Sequence, residues 1–345
     1  MKNKIENIFT EWNKSGDFSG VFSVSNNKRE IIFEAACGYR NMSESLENNI
    51  ETSFGVASGT KILTGIAVCK LIEDQNLNLD DRVIEILDFN FPYFSNGITV
   101  KHLLTHTSGV PDYFDEEITD DYESIWNDRP VYKITELEHF LPLFQNQKMK
   151  FEPGTRYAYS NGGYILLGLI IEKVSGQSFR GYVTEKILKP CGMNNSGFFR
   201  TNMLPANTAL GHIYDRNLEG FRTNIFSIPI VGASDGGFYT NAKDMNILWD
   251  HLMNKDILIK DMKDQMLLPH VFAEQRGENI NYGLGVYINQ IEKEIMNYHI
   301  IGYDPGVVFF SVFYPKSGII ATALANTGQI DTYPLLVELN KIIYS

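Results

Sequence analysis

Phe54-Gly55-Val56-Ala57-Ser58-Gly59-Thr60-Lys61 leads straight into Ile62, Leu63, Ile66, Ala67, Val68, Leu71 and Ile72. A helix this apolar on most of its sides is predicted to run through the centre of a fold. Residues three apart on a helix share a face, so Ser58 in the first turn and Lys61 one turn later can touch. Burial disfavours the charged form of a lysine, which makes its amine a proton acceptor for a serine hydroxyl beside it. On spacing alone, a capping serine and a lysine that snorkels to solvent fit equally well. A second Ser-x-x-Lys, Ser25-Asn26-Asn27-Lys28, falls in a turn and reads as ordinary solvated residues.

Moving outward, Ile5, Ile8, Phe9 and Trp12 recur at helical spacing. Gly20–Ser25 and Glu30–Ala36 read as two strands joined by Asn26-Asn27, residues that tolerate the positive φ of a hairpin. Tyr282–Ile288, Ile295–Ile301, Val307–Tyr314 and Gly318–Ala325 read as further strands, and Tyr333–Tyr344 as a closing amphipathic helix. The long middle is helical and loop-like. This order predicts an α+β fold in which the two ends of the chain form one antiparallel sheet flanked by helices. Residues 1–75 and 216–345 would form that sandwich lobe, and 76–215 a mainly helical lobe. A ligand cleft is expected between the two.

The chain has 345 residues, with 43% hydrophobic and 21% charged, enough to bury a large core without staples. A net charge of −12 repels phosphate backbones, which argues against nucleic acid as a partner. Cys37, Cys69 and Cys191 are scattered and odd in number, which suits a reducing compartment better than a disulfide framework or a zinc cluster. Met1 to Gly20 has no apolar core of a signal peptide, and Tyr164–Ile171 is too short to cross a bilayer. A cytoplasmic protein with no membrane segment is expected; the oligomeric state is not indicated.

Tyr159-Ser160-Asn161 precedes a second apolar run, Tyr164–Val174. In an extended segment Tyr159 and Asn161 face the same way, and a tyrosine beside a lysine can act as a general base. Taken by itself, the triplet is equally at home as structure. Together the segments say more. Phe54–Lys61 resembles the nucleophile segment of the penicillin-recognising serine hydrolases, and Tyr159-Ser160-Asn161 resembles their second motif. Leu77-Asn78-Leu79-Asp80-Asp81, the stretch from Ile98 to Tyr113, Lys189-Pro190-Cys191-Gly192-Met193 and Tyr282-Gly283-Leu284-Gly285 resemble the connecting segments, in order, from about Phe18 onward. The similarity is to the branch with class C β-lactamases, DD-carboxypeptidases, D-aminopeptidases and related esterases.

That resemblance implies a β-lactamase/DD-peptidase-like fold with a five-stranded sheet and the active site in the interlobe cleft. It implies that Ser58 forms an acyl-enzyme, that Lys61 and Tyr159 share the proton traffic with Tyr159 the base, and that Asn161 orients Lys61 and a substrate amide. The N–H groups of Ser58 and Tyr303 would hold the oxyanion. Neither metal nor organic cofactor is required. The substrate would be a small molecule or a short D-peptide: an amide, an ester or a β-lactam.

The third motif departs from the pattern. The family places Lys-Thr-Gly or His-x-Gly on a strand, and the alignment puts Ile300-Ile301-Gly302 there, followed by Tyr303 and Asp304. His299 comes one residue early and, by strand alternation, on the opposite face; a one-residue bulge would bring it back. Loss of the cation weakens the case for a substrate carboxylate. Asp304 adds negative charge near the cleft, which repels carboxylates and attracts amines, or else it simply shapes the Asp304-Pro305-Gly306 turn.

Two other function classes fit some of the residues. Gly232-Ala233-Ser234-Asp235-Gly236 matches the G-x-S-x-G elbow of an α/β-hydrolase esterase, although Pro229 and Gly237 sit badly with the strand–turn–helix it requires. A recognition or sensor module without catalysis would account for the altered third motif. His102 and His106, four apart on an expected helix, are read as a structural pair rather than metal ligands.

Overall fold

The computed structural model describes residues 1–16, 18–276, 278–328 and 331–344. Helix α1 (Lys2–Ser15) leads into strands β1 (Gly20–Ser25) and β2 (Ile31–Cys37). The buried central helix α2 spans Lys61–Glu73, α3 Asn161–Ser175 and α4 Ala242–Asn254. Six strands follow: β3 (Val271–Arg276), β4 (Glu278–Tyr282), β5 (Tyr287–Ile291), β6 (Glu294–Asp304), β7 (Val307–Tyr314) and β8 (Ile319–Ala325). Helix α5 (Tyr333–Tyr344) closes the chain described.

Strand order is β2-β1-β8-β7-β6-β5-β4-β3, an eight-stranded sheet whose neighbours pair antiparallel. The five-stranded sheet expected from the resemblance is therefore too small. The extra width comes from β2 at one edge and the β3–β4 hairpin at the other. Residues 274–276 of β3 are Glu, Gln and Arg and the strand is buried nowhere along its length, so no apolar alternation marks it in the sequence. The inner strands β7 and β8 are buried at every residue, as strands covered on both faces must be. Helices α1 and α5 cover one face through Ile5, Leu335, Leu336 and Leu339. The other face carries Ile300, Phe309, Phe313 and Leu324 into the main core with α2 and α4.

Two local readings are corrected. In the β1–β2 hairpin the left-handed residue is Arg29 at φ 63°, while the Asn26 side-chain oxygen accepts the N–H groups of Lys28 and Glu30. Tyr282–Ile288 is not one strand. Strand β4 ends at Tyr282, Gly283 N–H bonds the Val286 carbonyl, and Gly285 takes φ 97° before β5 begins. This turn docks on the central helix, because a Cβ at Gly285 would lie 2.8 Å from the Lys61 carbonyl oxygen. The boundary at 215/216 falls inside a hairpin, His212–Asp215 paired with Gly220–Thr223.

Candidate active site

Ser58 sits in a single 3-10 turn, Ala57–Thr60, and Lys61 begins α2 directly after it. Ala57 immediately before the serine is held at φ 46°, a left-handed conformation that costs a non-glycine residue energy. Ser58 is half-buried, whereas Lys61 is 2% exposed. Lys61 Nζ lies 3.1 Å from Ser58 Oγ, 2.8 Å from Asn161 Oδ1 and 2.7 Å from the Asp235 carbonyl oxygen. Burial pushes the lysine pKa down, against the pull of Asp235, Glu116, Asp112 and Asp304. A snorkelling lysine is thereby excluded.

Asn161 is the first residue of α3, and Ser160 caps that helix by accepting the Gly163 N–H at 3.0 Å. The buried Asp112 carboxylate braces the same helix start, accepting the N–H groups of Asn161 and Gly162. Its pKa is raised to about 7 by burial. Tyr159 precedes the cap with its ring 4.7 Å from Lys61 Nζ. Loss of solvent pushes the Tyr159 hydroxyl well above the usual tyrosine range, and contact with Ser58 only partly offsets this. Enclosure thus favours the neutral phenol of Tyr159.

His106, expected to pair with His102 on a helix, is placed elsewhere, against the second motif. The short helix Val100–Leu104 ends before it, and His106 stands alone at φ 56°. It is 1% exposed, its Nδ1 accepts the Ser160 N–H at 3.1 Å, and its carbonyl accepts the Ala158 N–H at 2.8 Å. Its ring lies 4.4 Å from that of Tyr159 and 4.9 Å from that of Tyr164. Burial and the nearby Lys61 keep the imidazole neutral. His102 instead accepts the Thr99 N–H in a capping box, so the two histidines do not face each other as a pair.

At the third motif, β6 and β7 stay in unbroken register from Tyr298↔Phe313 to Asp304↔Val307. The one irregularity of β6 lies earlier, against Asn289/Gln290 of β5. No bulge rotates His299 into the site. His299 is 3% exposed, hydrogen-bonds Asn297 and stacks on Tyr287 at 5.3 Å, with its pKa lowered to about 3 by burial. Ile300 occupies the motif position and is buried in the main core. Gly302 fits against the nucleophile turn: a Cβ there would meet the Val56 carbonyl oxygen and stand 3.0 Å from Ser58 N. The Tyr303 ring lies on the other face, its hydroxyl bonded to Thr332. Asp304, at the end of β6, has a carboxyl raised to about 7 by burial and by Asp235.

Ser234 fails as a nucleophile. It is 0% exposed, its Oγ has no partner among the described residues, and a Cβ on Gly168 of α3 would fall upon it. A bend follows it, not a helix. Among the described residues no three His, Cys, Asp or Glu side chains are grouped to hold a metal ion, and no helix is long and apolar enough to cross a membrane. Past His299, β6 has no further pairing with β5, so residues 300–304 form an open edge beside Ser58. A groove of about 1040 Å³ runs along it, passing Tyr157, Tyr159 and Tyr287.

Comparison with known proteins agrees with this geometry. The family model described as beta-lactamase matches residues 5–335. Penicillin-binding protein 4* of Bacillus subtilis is 29% identical over 325 residues, covering 90% of this chain and 68% of its own. The crystal structure of a penicillin binding protein from Bacillus halodurans superimposes with a TM-score of 0.90 at 43% identity, covering 98% of this chain and 99% of that one. The octameric penicillin-binding protein homologue from Pyrococcus abyssi gives a TM-score of 0.85 at 27% identity over 99% of this chain and 77% of that one.

Proposed function

The chain belongs to the beta-lactamase family of serine hydrolases, and on that premise we propose that it cleaves small amides, esters or D-peptides through a Ser58 acyl-enzyme. The observation that carries this reading is the set of three contacts around Lys61 Nζ. Asn161 Oδ1 and the Asp235 carbonyl can only accept hydrogen bonds. A neutral amine has two N–H bonds for those two acceptors and one lone pair left, and the lone pair then faces the Ser58 hydroxyl. Burial favours that neutral form. Lys61 is therefore the base for acylation, with Tyr159 as the relay to the leaving group, a reversal of the roles expected from the sequence.

Ser58 Oγ attacks the carbonyl carbon while Lys61 takes the hydroxyl proton. The carbonyl oxygen becomes an oxyanion held by the N–H groups of Ser58 and Tyr303. Asp304 and Val307 flank a two-residue turn, so the ladder bonds of this pair fall on Asp304 and Gly302, and the Tyr303 N–H points to the open edge. Collapse breaks the carbon–leaving-group bond as Tyr159 delivers the proton to the departing atom. Water then attacks the acyl-enzyme and gives up its proton to the same pair. The carboxylic acid leaves and the Ser58 hydroxyl is restored.

The cleft between the sheet-bearing lobe and the mainly helical 76–215 segment would hold a small molecule or a short D-peptide. Turnover of p-nitrophenyl acetate by the wild-type protein, lost in Ser58→Ala, is the expected result. Equal turnover by both proteins would overturn the proposal.

A further inference from the structure

Two acceptors aim Lys61 at Ser58, and they come from separate parts of the chain. Asn161 opens helix α3, while the Asp235 carbonyl belongs to the bend after Ala233. Each of the two is braced by one of a pair of consecutive residues, Asp112 and Tyr113.

Asp112 holds the first acceptor. Its carboxylate accepts the Asn161 N–H at 2.5 Å and the Gly162 N–H at 3.0 Å, and it secures its own segment by accepting the Phe114 N–H at 3.2 Å. A carboxylate at the positive end of a helix gains from the dipole, and its hydrogen bonds are charge-assisted. The approach is close. A Cβ on Gly162 would lie 2.9 Å from the Pro111 carbonyl oxygen, so glycine lets residues 111–112 seat directly on α3.

Tyr113 holds the second acceptor. Its hydroxyl donates to the Asp235 carboxylate, and its ring packs 5.2 Å from that of Phe140. Thr64 of α2 ties the same bend from the other direction, donating to the Ser234 carbonyl at 2.6 Å. Asp112 is 7% exposed and borders neither the groove nor the small cavity that open on Ser58. Its influence on the reaction therefore passes through the groups it holds.

We propose that Asp112 and Tyr113 are positioning residues, a single yoke that sets both acceptors of Lys61 and thereby the direction of its lone pair toward the Ser58 hydroxyl. The inference rests on the acyl-enzyme reading with Lys61 as base. Neither residue takes or gives a proton in the reaction.

The test follows the burst of p-nitrophenol from p-nitrophenyl acetate in the wild type, Asp112→Asn and Tyr113→Phe, and in the same two variants made on a Lys61→Met background. With Lys61 present, each change should slow acylation at saturating ester by about 10- to 100-fold and leave the half-saturating concentration within about twofold, because a misaimed base costs rate and not binding. On the Lys61→Met background each change should cost less than about twofold, since residues that act as a unit lose their effect together. Unchanged acylation in both variants would overturn the inference. So would a loss seen only as weaker saturation, or an equal loss with and without Lys61; each of these leaves the acyl-enzyme reading standing. A wild type with no Ser58-dependent burst would overturn that reading, and this inference with it. Tyr113→Phe keeps the packed ring, and it decides the matter if Asp112→Asn fails to fold.

Discussion

Lys61 Nζ lies 3.1 Å from Ser58 Oγ, and its two remaining partners are oxygen atoms that can only accept. The amine is thus oriented by its neighbours before any substrate arrives. Preorganisation of this kind lets a base act without reorganising at the moment of reaction. The Ser58 turn is fixed as well, by the left-handed Ala57 behind it and by Gly302 pressed against it.

A neutral Lys61 predicts the direction of the pH profile. Its pKa lies below that of an exposed lysine because burial outweighs the nearby carboxylates. Activity should fall as pH drops through that pKa, when the amine gains a proton and loses its lone pair, and should recover as pH rises. Lys61→Met should lower acylation about 10²- to 10⁴-fold. Pre-steady-state release of p-nitrophenol measures this, and an unchanged rate and acid limb in the variant would assign the base to Tyr159.

Gly302→Ala should damage the oxyanion site. The added Cβ would stand 3.0 Å from Ser58 N and collide with the Val56 carbonyl, so either β6 or the nucleophile turn must shift. A misplaced oxyanion donor costs about 10²-fold or more in kcat. Steady-state kinetics beside a thermal melt separates this from unfolding, and a variant with normal kcat would place the oxyanion elsewhere.

His106→Ala should reduce stability by about 1–3 kcal/mol, because it leaves the buried Ser160 N–H without its acceptor. Tyr159 would also lose the ring packed 4.4 Å away. Urea denaturation measures the first effect and kcat the second. No change in either would mean that His106 only fills space.

The third motif predicts substrate charge. With Ile300 in the core and His299 neutral on the opposite face, no cation extends from that position toward a substrate carboxylate. Such a bond is worth about 1.5–3 kcal/mol, so its absence should weaken free-carboxylate substrates by about ten- to a hundredfold. Matched substrates bearing a free carboxylate or its methyl ester measure this ratio. A clear preference for the carboxylate would reveal a cation reaching the site from another element.

Much of this was readable from sequence because the signals were local. Ser58 and Lys61 share a helical face, and the apolar residues that follow announce the buried helix; the strands Gly20–Ser25 and Val307–Tyr314 carry dense apolar and β-branched residues. What stayed hidden depends on tertiary placement. His106 looks like the partner of His102 until the helix is seen to stop at Leu104. Asp112 and Asp235 reach the site across 49 and 174 residues of sequence, to Asn161 and Lys61 respectively. The tyrosine's proton affinity is set by enclosure among other rings, which no triplet of residues encodes. The edge strand β3 buries none of its residues, so neither face demands apolar side chains and its sequence shows no alternation.

In the proposed reaction Ser58 carries the acyl group. Intact-mass measurement after rapid mixing with a slowly deacylating p-nitrophenyl ester or a penicillin, followed by peptide mapping, tests it most directly. One added acyl mass is expected, located on the peptide containing Ser58 and missing from Ser58→Ala. An adduct on the Ser234 peptide, or turnover that persists in Ser58→Ala at the wild-type rate, would contradict it.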